Sequence, residues 1–458
     1  MSTSLSPERF EQGLNPAQRA AVVHGDGPLL VLAGAGSGKT RVITHRIARL
    51  LARGVPSSAI LAVTFTNKAA GEMLERISQL VGARNASGLT VCTFHAFGLK
   101  LLQRESRYLG FGGGFTIFDQ GDAMGTLREL VRTTDIDGGR RLDMGAILTR
   151  ISLAKNAFQT PDTIPDGGDL DGDTALYQQV AKLLYGKYQR ALKSFHAVDF
   201  DDLICEPVRI LEQFEEVRAR WQQRFRYVLV DEYQDTNTAQ VALLRALAGS
   251  HRNLTVVGDD DQAIYGWRGA DVRNILAFEE SFGGSAVVKL EENYRSRAPI
   301  LDAANAVIGA MPAKKYKKNL FTSRAGGDPI QRIDCALPEV ESSFVAGEIA
   351  RLISSGTKPS QIAVMYRSNK QSDMIEEMLR DRGIAYTTIG GQSFFEKKEV
   401  KDLLAYVKLA TNPLDEISLR RVLNYPTRGI GDAAVAQLEG YAAAKDLPIF
   451  RAIQRADE

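Results

Sequence analysis

The sequence predicts an α/β protein that is built on a parallel β-sheet. Short, continuous apolar runs recur along the chain, helical patterns separate them, and polar residues follow most of them directly. Continuous apolar residues are typical of strands buried on both faces, and open sheets of this kind bind ligands at the carboxyl ends of their strands. The runs lie at 29–32, 60–63, 89–92, 227–230, 254–257 and 286–290.

The first run leads into a glycine-rich segment, which the helical pattern 41–51 follows. This segment consists of Ala33, Gly34, Ala35, Gly36, Ser37, Gly38, Lys39 and Thr40. A strand, a glycine-rich turn and a helix in this order form a P-loop, whose backbone N–H groups bind phosphate. Lys39 would contact the β- and γ-phosphates, and the Thr40 hydroxyl would bind Mg²⁺. The strict pattern begins with Gly, so Ala33 needs a negative φ; a glycine-rich surface turn is the alternative.

Two carboxylates, Asp231 and Glu232, follow the run 227–230 directly. Opposite a P-loop, Asp231 would bind Mg²⁺ directly or through water, and Glu232 would orient and deprotonate the attacking water. The alternative is a helix N-terminus after the strand, because acidic residues complement the helix dipole.

Polar side chains near two other runs are candidates for nucleotide contacts. Asn15 and Pro16 predict the start of a helix. On that helix the Gln18 amide could read adenine or simply lie exposed. Gln262 follows the run 254–257, where it could sense a γ-phosphate.

Tyr294 and Arg295 follow the run 286–290, which we interpret as the first strand of a second sheet domain. Tyr294 could stack on a nucleotide base. Arg295 could reach across a cleft as an arginine finger.

Aromatic residues after three runs suggest contacts with nucleic-acid bases. Phe65 and Phe94 lie where strands meet loops; such residues normally belong to the core, yet an exposed ring there could stack a base. Tyr265, Trp267 and Arg268 form a flat, cationic group in a polar, glycine-rich loop. Stacking contributes about 1–3 kcal/mol per base whatever the base sequence.

The remaining segments are mostly helical. Residues 96–199 consist of helical patterns broken by glycine-rich and acidic loops, which predicts a helical insertion into the first sheet domain. It ends in the acidic cluster 198–202, where Asp199 is either a helix N-cap or a metal ligand. The basic run 314–318 suits a phosphate backbone or a solvated loop, and 362–366 predicts a further strand.

Composition limits the class of protein. The 458 residues suffice for about two to four domains, and 44% hydrophobic residues are ordinary for a globular chain. A net charge of +2 means that any nucleic-acid contact must come from local patches or stacking. Three widely spaced cysteines, no run of membrane length and no signal-peptide core predict a cytoplasmic protein without disulfides or a zinc site.

In combination these motifs resemble the superfamily 1 DNA helicases of the UvrD/PcrA/Rep group, and the Rep members most of all. The resemblance runs from about residue 13 to near the end of the chain, and seven ordered motifs are far more specific than a P-loop alone. The motifs lie at Gln18, 33–40, 64–70, 93–95, 231–235, 258–270 and 293–296, with further matches at 390–395 and 398–402.

The resemblance implies RecA-like P-loop domains with ATP and Mg²⁺ in the cleft between them. It also implies 3′→5′ translocation on single-stranded DNA, action at duplex junctions, and replication or repair proteins as partners. The implied catalytic residues are Lys39, Asp231, Glu232, Gln262 and Arg295. The implied nucleotide contacts are Gln18, residues 33–40, Arg41 and Tyr294, with Thr40 and Asp231 as metal ligands. The implied DNA contacts are Phe65, Thr66, Asn67, His95, Tyr265, Trp267 and Arg268.

The resemblance also implies a division into four domains. These are a first RecA-like domain (1–92 and 200–284), its helical insertion (93–199), a second, incomplete RecA-like domain (285–383) and the start of a second insertion (384–458). Later motifs of the group, which include a second arginine finger, are not found in the sequence. The chain therefore looks like an N-terminal part of a helicase.

Three hypotheses remain open. The first is a motor that hydrolyses ATP to move along single-stranded DNA, used in replication restart or repair. The second is a fragment that binds ATP and DNA with little turnover, because an arginine finger contributes about 10³–10⁵ in rate. The third, a phosphotransferase or GTPase switch, fits the P-loop but leaves the loop with Tyr265 and Trp267 unexplained.

Overall fold

The fold is taken from a computed structural model of the chain. It describes residues 6–111, 114–134, 136, 142–167, 172–311, 315–389, 398–445 and 447–455. Contacts within the chain define two units, one that extends to Pro329 and one that begins at Ile330.

The first unit is organised around a sheet of six parallel strands in the order β3-β2-β6-β7-β1-β8, and a small second sheet pairs β4 with β5. The strands are β1 (Leu29–Ala33), β2 (Ile60–Thr64), β3 (Thr90–Thr93), β4 (Thr116–Ile117), β5 (Ala197–Val198), β6 (Tyr227–Val230), β7 (Leu254–Gly258) and β8 (Ala286–Leu290). All six predicted runs form strands, and the α/β class with a parallel sheet is confirmed.

Helices cover both faces of this sheet. In the described part of the first unit they are α1 (Pro16–Val23), α2 (Lys39–Ala52), α3 (Asn67–Val81), α4 (Ala83–Ala86), α5 (Phe94–Glu105), α6 (Gln120–Thr134), α7 (Met144–Asn156), α8 (Gly172–Ser194), α9 (Asp202–Gln213), α10 (Glu215–Arg224), α11 (Thr238–Ala248), α12 (Arg273–Leu276), α13 (Phe278–Phe282) and α14 (Ala298–Gly309). As predicted, α1 begins at Pro16, and Asn15 caps it by accepting a hydrogen bond from the Gln18 N–H.

Successive residues of the central strands pack into cores on opposite faces of the sheet. Leu30 and Leu32 lie in the core beneath α5, α9, α10 and α11, whereas Leu29 and Val31 lie in the core beneath α1, α2 and α3. Side chains of a strand alternate between its two faces. Burial of both faces therefore explains why the run is continuously apolar.

The strand β8 belongs to this same sheet, so the prediction that 286–290 begins a second sheet domain is wrong. It pairs in parallel with β1, from Leu29 opposite Ala286 to Ala33 opposite Leu290. The first unit defined by contacts extends to Pro329, and the predicted domain limit at 284 stays a prediction. Sequence patterns identify a buried strand but not its partner, and β1 needs hydrogen-bonded neighbours on both sides. The other predicted domain limits stay predictions.

The chain between β3 and β6 is mainly helical, and a buried charge network connects α7 and α8 to the start of α9. The ammonium of Lys155 on α7 lies 2.7 Å from a carboxylate oxygen of Asp199 and 2.7 Å from one of Asp202, and its side chain is 1% exposed. The Tyr188 hydroxyl donates a hydrogen bond to Asp199 at 3.1 Å. Burial raises the pKa of Asp202 to about 7, an effect that the Lys155 charge opposes.

The structure gives Asp199 the hydrogen bonds of a helix cap, although the N-cap position of α9 itself belongs to Asp201, whose side chain makes no capping bond. Asp199 Oδ1 accepts the N–H of Asp202 at 3.0 Å, and the Asp202 carboxylate accepts the N–H of Asp199 at 3.2 Å. The cation that Asp199 binds is the ammonium of Lys155 rather than a metal ion. A lysine 44 residues upstream cannot be assigned to this cluster from local sequence patterns.

The second unit is helical in its described part. Its helices are α15 (Pro338–Ser354), α16 (Asn369–Asp381), α17 (Lys398–Thr411), α18 (Glu416–Leu423), α19 (Asp432–Lys445) and α20 (Ile449–Ile453). The strand predicted at 362–366 is not formed, because no described segment pairs with it and a strand needs a ladder partner. The motif predicted at 390–395 lies outside the described residues. No described helix has both the length and the apolar composition that a membrane span requires.

Candidate functional site

The candidate residues follow four neighbouring strands at the same edge of the sheet. The strands lie in the order β6-β7-β1-β8 and are all parallel, so their carboxyl ends meet. The P-loop follows β1, the pair Asp231–Glu232 follows β6, Gln262 follows β7, and Arg295 follows β8. Ligands bind at this edge in open α/β sheets.

The P-loop forms a tight turn that α2 continues. Gly36 has φ +69° and Gly38 has φ +91°, both in the left-handed region, and α2 begins at Lys39. The buried hydroxyl of Ser37 donates to the Gly34 carbonyl at 2.7 Å, which fixes the turn. Ala33 is the last residue of β1 and is not among the residues with positive φ, so alanine is accommodated where the strict pattern has glycine.

The segment after β8 packs directly on this turn. The Asn293 amide donates to the Ala35 carbonyl at 2.5 Å, and the Tyr294 N–H donates to the Gly36 carbonyl at 3.0 Å. A Cβ atom on Gly36 would lie 2.6 Å from Asn293 Nδ2 and 2.8 Å from Arg295 Cβ. Arg295 is therefore held beside the P-loop, with an exposed side chain. Asn293 belongs to the motif at 293–296, but no sequence pattern predicts this contact with the P-loop.

The ammonium of Lys39 lies 2.6 Å from Glu232 Oε2. Lys39 is 11% exposed and Glu232 is 38% exposed, so water reaches the carboxylate more easily than the ammonium. A P-loop lysine binds phosphate, which is also an anion. A nucleotide phosphate and the Glu232 carboxylate would therefore compete for the same ammonium.

Glu232 has an unusual backbone conformation that its neighbours stabilise. Its φ is +53° and its ψ is +42°, a left-handed conformation that costs about 1–2 kcal/mol in a residue with a Cβ atom. Its N–H donates to Asp231 Oδ1 at 3.0 Å, and its carboxylate accepts from Gln234 Nε2 at 2.9 Å. Strain of this kind persists where surrounding bonds fix the conformation, and it occurs frequently at active sites.

Burial changes the protonation of two carboxyl groups. Burial, and then the charge of Glu232, raise the pKa of Asp231 to about 6, while Lys39 opposes the shift. The same two causes raise the pKa of Asp235 to about 6. Asp231 is thus ionised above pH 6 but poorly solvated, which suits a carboxylate that would bind a divalent cation. With the Thr40 hydroxyl it provides the hard oxygen donors that Mg²⁺ prefers.

The predicted base-contacting residues lie around the C-terminal half of the P-loop and the first turn of α2. Gln18 is 1% exposed; its Nε2 donates to the Ser37 carbonyl at 2.9 Å, and its Oε1 accepts the Asn15 N–H at 3.2 Å. The Tyr294 hydroxyl accepts from Asn15 Nδ2 at 2.9 Å, and Arg41 donates to the Gly13 carbonyl at 2.9 Å. Gln18 is therefore not an exposed helix residue, and its contact with a base stays a prediction.

The amide of Gln262 is fixed by a bond to Asp259. Its Nε2 donates to Asp259 Oδ2 at 2.6 Å, in a short helical turn that spans Asp260–Gln262. The carboxylates of this turn contact the ammonium of Lys318, whose side chain is only 2% exposed. Lys318 belongs to the run 314–318, so the interpretation of that run as a solvated loop is wrong for this residue.

The predicted DNA-contacting residues after β7 form one exposed cationic and aromatic surface. The Arg268 guanidinium lies 4.5 Å from the centroid of the Trp267 ring and 5.5 Å from that of Tyr265. Trp267 is 65% exposed, although large aromatic side chains are usually buried. Trp267 and Arg268 also line a cavity of about 480 Å³ whose wall includes Phe200 and residues of α7.

The other predicted DNA contacts near β2 are a half-buried ring and two exposed polar residues. Phe65 is half-buried against Phe94, which belongs to the core. Thr66 caps α3 by accepting the Ala69 N–H at 3.1 Å, and Asn67 is exposed as the first residue of that helix. Their contacts with DNA stay predictions.

His95 packs against a residue that the sequence did not single out. Its ring lies 4.9 Å from that of Phe200, and burial lowers the pKa of His95 to about 4, so the imidazole is neutral at pH 7. Phe200 is 58% exposed. Its position within a cluster of aspartates was the signal that could have identified it as a surface aromatic residue.

Comparison with known proteins gives matches along most of the chain. Residues 14–283 match the model of the UvrD/REP helicase N-terminal domain, and residues 288–450 match that of the UvrD-like helicase C-terminal domain. The protein named ATP-dependent DNA helicase PcrA from Bacillus subtilis is 43% identical over 449 residues, which is 97% of this chain and 59% of the relative.

The proteins of the same name from two further organisms are similar to the same extent. The Staphylococcus epidermidis protein is 42% identical and the Staphylococcus aureus protein 41% identical, each over 97% of this chain and 60% of the relative. The chain thus spans about 60% of the length of the curated relatives that it matches. These PcrA relatives do not test the expectation that Rep members are the most similar.

The close contact between Gly36 and the segment after β8 generates a stability prediction. We expect Gly36→Ala to lower the free energy of unfolding by at least ~1–2 kcal/mol, because alanine must adopt a left-handed φ and displace Asn293. Urea denaturation measures the change. The matched control is Gly71→Ala in the interior of α3, where no atom lies within 4 Å and alanine should stabilise by about 0.5–1 kcal/mol. Equal effects of the two substitutions would contradict the described contact.

Proposed function

Because the chain belongs to the UvrD/REP helicase family, as its motifs predicted, we propose that it is an ATP-driven motor that moves 3′→5′ along single-stranded DNA. The observation that carries this proposal is the contact of Lys39 with Glu232 at 2.6 Å, which joins the P-loop to the acidic pair after β6. The two halves of a hydrolytic nucleotide site are thereby adjacent.

The P-loop would bind the phosphates of ATP. Its backbone N–H groups and the N-terminus of α2 supply partial positive charge, and Lys39 supplies a full charge. Thr40 and Asp231 would hold Mg²⁺, which when bound neutralises charge on the phosphates. Gln18, Arg41 and Tyr294 lie around the same end of the loop and would contact the base.

Glu232 would act as the base that takes a proton from the attacking water. When phosphate attracts Lys39, the carboxylate loses its ion pair and becomes a better proton acceptor. Gln234 keeps it oriented through the hydrogen bond at 2.9 Å. Gln262 and Arg295 would contact the γ-phosphate, and stabilisation of charge that develops there is the largest contribution that such residues make.

The exposed group of Tyr265, Trp267 and Arg268 would contact the bases of single-stranded DNA. Stacking is tolerant of sequence, as a motor that passes along any strand requires. The net charge of only +2 agrees with recognition by local stacking rather than by a broad cationic surface. We further propose that the protein acts at duplex junctions, has replication or repair proteins as partners and is located in the cytoplasm.

Hydrolysis is tested by the ATPase rate with and without single-stranded DNA. We expect DNA to stimulate hydrolysis, and Lys39→Ala to lower the rate by about 10²–10³, the loss typical of removing one preorganised group that stabilises charge. Lys182→Ala is the matched control, because this lysine pairs with exposed Asp166, away from the P-loop in sequence.

Full activity of Lys39→Ala would contradict the proposal. Tight binding of ATP and DNA by the unsubstituted chain without turnover would instead favour the second hypothesis, a fragment that binds but does not hydrolyse.

The aromatic surface is tested by the affinity for a fluorescent oligonucleotide. We expect Trp267→Ala to weaken single-stranded DNA binding by about 1–3 kcal/mol, the contribution of one stacked base, while ATP affinity is retained. Leu183→Ala is the control, since this exposed apolar side chain does not line the cavity beside Trp267. Fluorescence anisotropy measures the DNA affinity of both variants. Unchanged DNA binding by Trp267→Ala would exclude this surface as the binding site for single-stranded DNA.

A further inference from the structure

Lys318 is a buried lysine to which the proposed function assigns no role. Its side chain is 2% exposed, and its ammonium contacts carboxylate oxygens of Asp259, Asp260 and Asp261. The three carboxylates offer oxygens that all lie within 4.8 Å of one another. Such an arrangement could accept a metal ion, but here a lysine of the chain itself supplies the cation.

The geometry of these carboxylates depends on Lys318. Three carboxylates at this separation repel one another, and the repulsion is large where water is excluded. Removing one partner from a buried charge group leaves the remaining charges uncompensated. The neighbouring Lys317 has an exposed side chain and Lys315 bonds to α12 and α13, so among the described lysines of this run Lys318 is the one that contacts the cluster.

Asp259 connects the cluster to the proposed catalytic residues. One oxygen of its carboxylate accepts from Lys318, and the other accepts from Gln262 Nε2 at 2.6 Å. Its N–H donates to Gln234 Oε1 at 2.9 Å, and Gln234 in turn donates to Glu232 at 2.9 Å. A displacement of Asp259 would therefore move both the candidate γ-phosphate sensor and the residue that orients the candidate base.

The segment that carries Lys318 is also tied to the strand end beside the P-loop. The Asn319 N–H donates to Glu291 Oε1 at 2.8 Å, and the Phe321 carbonyl accepts from the Asn293 N–H at 2.7 Å. Asn293 is the residue that binds the Ala35 carbonyl of the P-loop. The segment with Lys318 thus contacts both segments that carry a candidate γ-phosphate contact, the one after β7 and the one after β8.

We propose that Lys318 is a positioning residue for recognition of the γ-phosphate. Its ammonium fixes the carboxylate of Asp259, and this carboxylate in turn fixes the amide of Gln262. The amide is thereby held in a position from which it would contact a γ-phosphate. Lys318 itself does not contact the nucleotide. This inference rests on the proposed function, because it assumes that Gln262 contacts the γ-phosphate of ATP.

The test compares the affinities for ADP and for a non-hydrolysable ATP analogue, measured by competition with a fluorescent nucleotide. We expect Lys318→Met to weaken binding of the ATP analogue by about tenfold, the contribution of one hydrogen bond to a charged group, and to change ADP affinity less than twofold. Lys317→Met, the substitution of the exposed neighbour, should change neither affinity. Lys318→Arg should retain most of the preference for the ATP analogue.

A double substitution distinguishes positioning from a general structural effect. Because Lys318 acts through Gln262, Lys318→Met should add little to the loss caused by Gln262→Ala. If Lys318→Met alone does not fold, a variant that combines Lys318→Met with Asp260→Asn is used, because it buries one uncompensated charge fewer. Its affinities for ADP and the ATP analogue are compared with those of Asp260→Asn alone. The same tenfold loss is expected in that comparison.

Equal weakening of ADP and the analogue, no loss of either, or full additivity with Gln262→Ala would each overturn the role of Lys318. If the unsubstituted chain binds neither nucleotide, the proposed function fails together with this inference. If it binds both and Lys318→Met behaves like the unsubstituted chain, only the inference about Lys318 fails.

Discussion

The parallel register of the six-stranded sheet is the constraint on which the site depends. Because every ladder of this sheet is parallel, the segments after β1, β6, β7 and β8 meet at one edge although Lys39 and Arg295 are far apart in sequence. The ion pair of Lys39 with Glu232 spans 193 residues and closes this arrangement. Without the sheet the same residues would be unrelated polar groups on loops.

In the described site, charged and polar side chains form ion pairs and hydrogen bonds with other groups of the protein. Lys39 neutralises Glu232, Gln18 is bonded to the P-loop, and Lys318 neutralises the carboxylates next to Gln262. Phosphate would replace Glu232 as the partner of Lys39 and release the strained carboxylate for proton transfer. Binding and preparation for hydrolysis are then one exchange of partners on a preformed scaffold.

The sequence predicted the features that local patterns determine. Continuous apolar runs identified the strands, and the glycine spacing with its flanking elements identified the P-loop, because both depend on residues close together in the chain. The partner of β8, the burial of Lys318 and the bridge made by Gln234 depend on contacts between distant segments. The sequence gives the residue types for such contacts but not their pairing, which is why the ion pair of Asp199 with Lys155 was not predicted.

In this account the ammonium of Lys39 leaves Glu232 and binds phosphate when ATP binds. The ATP affinity of the variant Glu232→Gln tests this exchange most directly. The substitution removes the charge that competes with phosphate for Lys39, so ATP affinity should rise by about two- to fivefold. This change corresponds to a partly exposed ion pair, which contributes up to ~1 kcal/mol. Hydrolysis should be lost, because Glu232 is the candidate base. Glu280→Gln, which alters a carboxylate that is 76% exposed, serves as control. Weaker ATP binding, or hydrolysis at the unsubstituted rate, would contradict the exchange.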